Sequence, residues 1–275
     1  MKGAQGKAKF SKHLEVEPIR PGYKGSERLA NKVALITGGD SGIGRSVALY
    51  FSREGADIAI VYETSDDDAA ETKRLVENEG RECLTIKKDI SKESNCIKII
   101  EDVKKNFGQL DVLVNNAGRH EEDLSIKDIS DAQLKKTFEV NTYSMFYLCK
   151  AAIKLLSKGG CIINTASVVA YRGSEHLLDY SATKGAIVAF TRSLAQNVIE
   201  KDIRVNAVAP GPIWTPLVIE AFDEEHLKKF GKDTPMKRAG YPFEVAPAFV
   251  YLACDDSSYV TGQVLHINGG DTMSS

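Results

Sequence analysis

The sequence predicts an α/β fold: a doubly wound, mostly parallel sheet of seven strands with helices on both faces. Two observations carry this prediction. From Lys32 onward, short apolar runs alternate with helical stretches, and strands separated by helices pair in parallel and need cover on both faces. The first apolar run, Val33-Ala34-Leu35-Ile36, leads straight into a glycine-rich turn, Thr37-Gly38-Gly39-Asp40-Ser41-Gly42-Ile43-Gly44. Right-handed crossovers then wind the sheet in both directions. A length of 275 residues suits one such domain with a large core.

Residues 1–30 read as an irregular N-terminal arm, partly disordered, because Pro18, Pro21 and several glycines break any periodicity. Its apolar Leu14, Val16, Ile19 and Tyr23 suggest an arm that lies across a neighbouring subunit. Residues 31–275 read as one folded domain. Strands are expected at 33–37, 57–62, 82–87, 112–115, 161–165, 204–209 and 263–267. Helices are expected near 42–54, 66–80, 92–107, 131–157, 179–200 and 242–252. The first helix shows its period in Val47, Ala48, Tyr50 and Phe51. Asn141 interrupts the helical run at 131–157, where an amide competes for backbone groups. The excursion 212–241 holds a short helix near 215–230, and long excursions in compact domains often serve as lids.

Bulk properties exclude several classes. A formal net charge of −2 gives no electrostatic case for nucleic acid or anionic membrane. No apolar run approaches the roughly 18 residues that would span a bilayer. Residues 1–12 lack an apolar signal core, so a cytoplasmic location is expected. The five cysteines are scattered, which suits thiols in a reducing compartment. The histidines form no metal-binding spacing, so no metal is expected.

Four motifs carry the chemistry. Tyr180 and Lys184 are one helical turn apart and so share a face. A cation within about 4–6 Å of a phenol lowers its pKa from about 10, which lets it pass a proton near neutrality. Ser167 lies upstream, just past an apolar run. The glycine turn lets backbone N–H groups approach a pyrophosphate at a helix N-terminus, although its spacing is G-x-x-x-G-x-G rather than the commoner G-x-G-x-x-G. Asn115-Asn116-Ala117-Gly118 and Pro210-Gly211-Pro212-Ile213-Trp214-Thr215 both follow strands, at the ends where doubly wound sheets bind ligands. Each alone reads as a turn; their order points to a dinucleotide enzyme.

With these motifs the chain resembles the short-chain dehydrogenase/reductase family over residues 31–270. Within it, the glycine turn and the stretch 209–216 resemble the bacterial glucose/ribitol-dehydrogenase-like, general-stress oxidoreductase group. The resemblance implies a Rossmann-type fold and an NAD(P)-dependent oxidoreductase that interconverts an alcohol and a carbonyl compound. It implies Tyr180 as acid/base, Ser167 on the substrate oxygen, and Lys184 on the tyrosine and the nicotinamide ribose. Asn141 would hold a water connecting Lys184 to solvent.

For the cofactor, the resemblance implies Gly38, Asp40, Ser41, Gly42, Ile43 and Gly44 around the pyrophosphate and adenosine ribose. Asp89 and Ile90 would flank adenine, and Asn115, Ala117 and Gly118 would line the adenosine side. Pro210, Gly211, Ile213 and Thr215 would hold the nicotinamide. Tyr62 stands where NAD-preferring members carry Asp, and the neighbouring Glu63 with no phosphate partner tilts the reading slightly to NAD. The substrate would meet Ser167, Val169, His176, Tyr180 and Trp214, with Arg119, His120, Val168 and Arg172 also close by position. That polar set suits a small polar aldehyde, a sugar or a polyol. A homotetramer is implied, with interfaces from 179–200 and the C-terminal segment. Two alternatives stand beside this. A 3-oxoacyl thioester reductase needs an electropositive docking patch, and no dense Arg/Lys cluster marks the expected mouth. A non-catalytic dinucleotide-binding protein could dispense with Tyr180 and Lys184, yet both are present.

Overall fold

The computed structural model describes residues 17–273. Seven parallel strands form one sheet in the order β3-β2-β1-β4-β5-β6-β7. They are β1 (Val33–Thr37), β2 (Asp57–Tyr62), β3 (Cys83–Lys87), β4 (Leu110–Asn115), β5 (Leu156–Thr165), β6 (Arg204–Pro210) and β7 (Val264–Ile267). The chain runs outward from β1 to β3, then returns to place β4 on the other side of β1. That reversal opens a crevice beyond the strands' C-terminal ends.

The helices are α1 (Gly42–Arg53), α2 (Asp66–Asn78), α3 (Glu93–Phe107), α4 (Asp131–Phe138), α5 (Ser144–Ala152), α6 (Val169–Arg172), α7 (Leu178–Val198), α8 (Pro216–Ala221), α9 (Glu224–Lys229) and α10 (Pro242–Ala253). Alternation along the strands feeds two cores. Ala34 and Ile36 face one core with Tyr50 and Phe51 of α1 and Phe249 of α10. Val33 and Leu35 face the other with Ile99 of α3, Leu148 of α5 and Ile187 of α7. Every residue of β1 and β4 is buried, as strands covered on both faces require.

Three expected elements differ. The helix at 131–157 is interrupted by a π-helical turn, Glu139–Tyr143, and ends at Ala152. Gly159 takes φ 79° in the following segment, which joins β5 instead. β5 carries a register shift against β4 between Leu110 and Val112. The helix near 215–230 is two helices, because Asp223 caps a new start by accepting a hydrogen bond from the His226 N–H at 2.8 Å. The short α6 was not expected at all.

Residues 17–30 are packed against their own chain. Ile19 and Leu29 are buried in the core beside α1, and the Ser46 hydroxyl donates to the Pro18 carbonyl at 2.5 Å. The Glu54 carboxylate, at the end of α1, accepts the Ser26 N–H at 2.9 Å, the Arg28 N–H at 3.2 Å and the Arg28 guanidinium at 2.9 Å. It also accepts the Tyr23 hydroxyl. Ile19 and Tyr23, expected to reach a neighbouring subunit, thus have intramolecular partners; Leu14 and Val16 lie outside the described residues.

Candidate active site

The crevice beyond the strand ends is a cavity of about 1300 Å³. Its floor at one end is the glycine turn, with Gly38, Asp40, Ser41, Gly42 and Ile43 on the wall. Gly38 (φ 62°) and Gly42 (φ 52°) take left-handed backbone, which a side chain would strain. A Cβ on Gly38 would also approach Ala117 Cα to 3.1 Å. Gly44 does not line the cavity; it lies behind the turn, where a methyl would run into the Gly38 carbonyl. Close packing of helix on strand is its requirement.

The turn is held by a residue that was not singled out. Asn116 Nδ2 donates to the Thr37 carbonyl at 3.0 Å and to the Gly38 carbonyl at 3.2 Å. The Thr37 hydroxyl in turn accepts the N–H groups of Asn116 and Ala117, each at 3.0 Å. Asn115, expected to line the cofactor side, faces inward instead: it donates to Asn164 Oδ1 at 2.9 Å and to Cys149 Sγ at 3.4 Å. The doubled Asn at a strand end was the available signal, and strand alternation decides which one faces the crevice.

Tyr62, Ile90, Ala117 and Gly118 line the cavity as expected by position, whereas Asp89 does not. Asp89 accepts the Ser91 N–H at 2.9 Å and lies 3.8 Å from both Lys92 and Lys136, so its carboxylate is spent on the start of α3. Tyr62 donates its hydroxyl to Asp66 at 2.9 Å. Arg45 donates to the Asp40 carbonyl and the Thr72 hydroxyl, each at 2.9 Å, and pairs with Asp68 at 2.9 Å. Glu63 and Lys88 share the same end of the wall.

At the other end, Ser167, Tyr180 and Lys184 line the cavity together. α7 begins at Leu178, which puts Tyr180 and Lys184 in its first two turns. Lys184 Nζ lies 5.3 Å from the Tyr180 ring centroid and donates to the Thr165 carbonyl at 2.7 Å. Burial dominates both titrations. It pushes Tyr180 up to about 12, against a lowering hydrogen bond from Ser167, and pushes Lys184 down to about 7. The expected depression of the phenol is not what burial gives: desolvation of the phenolate outweighs the hydrogen bond from Ser167.

Asn141 is buried in the π turn and off the cavity wall. Its Oδ1 accepts the Arg119 N–H at 2.8 Å, while its Nδ2 donates to the Arg119 carbonyl at 2.9 Å and to the Thr183 hydroxyl at 3.1 Å. A Cβ on Gly118 would sit 3.5 Å from Asn141 Oδ1 and 3.7 Å from Lys184 Nζ, so these two atoms face one small space. A π turn at such a position is a frequent feature of functional sites. Asp179 is a further residue missed in sequence: it accepts the Tyr180 N–H and the Thr137 hydroxyl, each at 2.7 Å, and so orients the start of α7.

Pro210, Gly211, Ile213 and Thr215 line the cavity beyond β6. Of the expected substrate contacts, Val169 and His176 line it and Trp214 does not. Trp214 is buried with Leu177, Ile219 and Phe222, its ring 5.0 Å from that of Phe230. An indole is large enough to anchor the excursion's own apolar cluster, and burial there removes it from the crevice. Phe222, from the loop between α8 and α9, lines the cavity in its place.

Comparison with known proteins agrees with this arrangement. A family model described as enoyl-(acyl carrier protein) reductase matches residues 38–272. General stress protein 39 of Bacillus subtilis (strain 168) is 56% identical over 249 residues, 90% of this chain and 87% of that one. NADPH-dependent aldehyde reductase 1, chloroplastic, of Arabidopsis thaliana is 51% identical over 255 residues, 90% of this chain and 88% of that one. The crystal structure of a short-chain dehydrogenase/reductase from Brucella melitensis, named glucose/ribitol dehydrogenase, matches with a TM-score of 0.84 at 33% identity. It covers 92% of this chain and 100% of the other. The chain belongs to the short-chain dehydrogenase/reductase family, as the sequence motifs implied. It is an NAD(P)-dependent oxidoreductase of the branch that includes general stress protein 39.

Proposed function

We propose that the protein interconverts a small polar aldehyde, sugar or polyol with its alcohol or carbonyl partner, using NADP(H) and Tyr180 as proton donor and acceptor. One observation carries this reading: Ser167, Tyr180 and Lys184 converge at one end of a cavity whose other end is a glycine cradle. The cradle fits a dinucleotide pyrophosphate, because it withholds side chains at Gly38 and Gly42 and opens the start of α1 to the cavity. Ser41, Gly42 and Ile43 would hold that group; Pro210, Gly211, Ile213 and Thr215 would hold the nicotinamide, which gives or takes a hydride when bound.

The chain's own residues supply the rest. Tyr180, raised to about 12 by burial, is protonated at neutral pH and suits donation to a carbonyl oxygen. Ser167 bonds the phenol and can hold the same substrate oxygen. Lys184, near 7, can relay the proton onward, and the space it shares with Asn141 beside Gly118 suits a bridging water. α8 and α9 would cover the substrate.

The lean to NAD rested on Glu63 and a missing base. Lys88, paired with Asp102 at 3.3 Å, lines the same wall, and it is the relative named for NADPH that weighs towards NADP(H). A homotetramer fits the exposed Tyr143 and Phe146, with Phe146 4.0 Å from Phe190 of α7, and a cytoplasmic site fits five free, buried cysteines. The acyl-thioester reading is disfavoured by the mouth, where Arg119, Arg172 and Lys229 are each paired with a carboxylate.

The test is a panel of aldehydes, sugars and polyols followed by cofactor absorbance, with NADPH and NADH compared. Turnover of polar carbonyl compounds, a higher kcat/KM with NADPH, and a loss of about 10³-fold in Tyr180→Phe are expected. No turnover, or an active Tyr180→Phe, rejects the reading.

A further inference from the structure

His120 is 9% exposed, and its Nδ1 is buried with no hydrogen-bond partner. Its ring lines the cavity, edge-on to Tyr180 with centroids 5.2 Å apart. Phe222 also packs against it, centroids 5.6 Å apart, and His226 stacks on Phe222 at 4.1 Å. Buried polar side-chain atoms in folded proteins are nearly always paired, so the unpartnered Nδ1 of a ring that lines the cavity leaves hydrogen-bonding capacity for a molecule that enters it.

The surroundings define that partner. Burial, helped by the charge of Lys184, holds His120 down to about 4, so the ring is neutral near pH 7. A neutral imidazole offers one donor and one acceptor, which suits a hydroxyl, itself donor and acceptor, whichever ring nitrogen carries the proton. The two arginines nearby are engaged, Arg119 with Glu121 and Arg172 with Asp271 at 3.0 Å. His176 lines the same cavity with its own Nδ1 buried and unpartnered.

We propose that His120 selects the substrate: its ring hydrogen-bonds a hydroxyl on the carbon beside the reacting one, so the enzyme favours hydroxyaldehydes and their polyols over deoxy analogues. This rests on the carbonyl–alcohol reading of the site. Its contact with the Tyr180 ring, centroids 5.2 Å apart, sets it beside the phenol that serves the reacting oxygen. The aromatic cover of Phe222 keeps water from replacing a missing substrate hydroxyl, and a site left unpaired rejects the analogue that leaves it so.

The experiment measures kcat/KM for glyceraldehyde and propanal with NADPH. Wild type is expected to favour glyceraldehyde by about fiftyfold or more, and His120→Leu to lose about a hundredfold on glyceraldehyde but under about threefold on propanal. His120→Gln, which keeps a donor and an acceptor, should stay within about tenfold of wild type on glyceraldehyde. Near-UV circular dichroism and NADPH fluorescence confirm that each variant folds and binds cofactor. A wild-type ratio near one overturns the proposal without any variant. Equal losses on both aldehydes in His120→Leu also overturn it and leave the oxidoreductase reading standing. Absence of turnover of either aldehyde by wild type, alongside none across the wider panel, removes the parent reading and this inference with it.

Discussion

Lys184 Nζ stands over the face of the Tyr180 ring, 5.3 Å from its centroid, and gives a hydrogen bond to the Thr165 carbonyl at 2.7 Å. The amine is thus tied to the end of β5 rather than to the phenol oxygen. Its charge is costly in a buried setting, as the phenolate's would be, so burial pushes the amine down and the phenol up, the latter against the Ser167 hydrogen bond.

That cost predicts a pH-dependent stability. Lys184 has a folded pKa of about 7, below its usual value near 10.5. Between these values the unfolded chain binds a proton that the folded chain does not, so stability rises with pH across this window. The penalty is full below about pH 7 and gone above about 10.5. Lys184→Met in the cofactor-free protein should therefore raise Tm most at pH 6 and least near pH 10, as measured by calorimetry. A gain that is independent of pH contradicts the buried-amine account.

Glu54 contributes stabilisation where Lys184 contributes a penalty, and stability again rises with pH. Burial pushes its carboxyl up, but the hydrogen bonds from Arg28, Tyr23 and the N–H groups of Ser26 and Arg28 outweigh this and hold it down to about 2. Its stabilisation is present above about pH 4.5 and is lost as pH falls towards 2. Glu54→Ala should cost about 2–3 kcal/mol at neutral pH. It should also expose Arg20, Lys24 and Arg28 to trypsin. Unchanged cleavage of that segment shows that the carboxylate does not anchor it.

Asn116 should govern cofactor affinity without governing the fold. Asn116→Ala removes two hydrogen bonds to the glycine turn and should weaken NADPH binding by about tenfold or more. Fluorescence titration reads the affinity and far-UV circular dichroism the fold. Asn115→Ala should instead lower Tm, because its amide is paired inside the sheet with Asn164.

Gly44→Ala tests helix–strand packing. A methyl there meets the Gly38 carbonyl, and overpacking of this kind costs about 1–3 kcal/mol. Both Tm and NADPH affinity should fall, since the same displacement moves α1 and the turn. A stable variant with full affinity shows that the helix shifts freely.

The sequence itself determined the sheet, most of its helices, the glycine turn and the pairing of Tyr180 with Lys184. These depend on contacts close in the chain: a period of two or 3.6, a turn residue, a one-turn spacing. Tertiary structure decided what those rules do not reach. Glu54 meets Ser26 and Arg28 across more than one element, so the anchored segment looked like an irregular tail. Asn115 and Asn116 exchanged their expected importance because one residue of strand register turns one inward and the other to the crevice. Trp214 left the crevice and Phe222 entered it because burial depends on which apolar neighbours the excursion brings together. The titration of Tyr180 was decided the same way, since desolvation is a property of the whole surround and an i to i+4 spacing states only who stands beside whom.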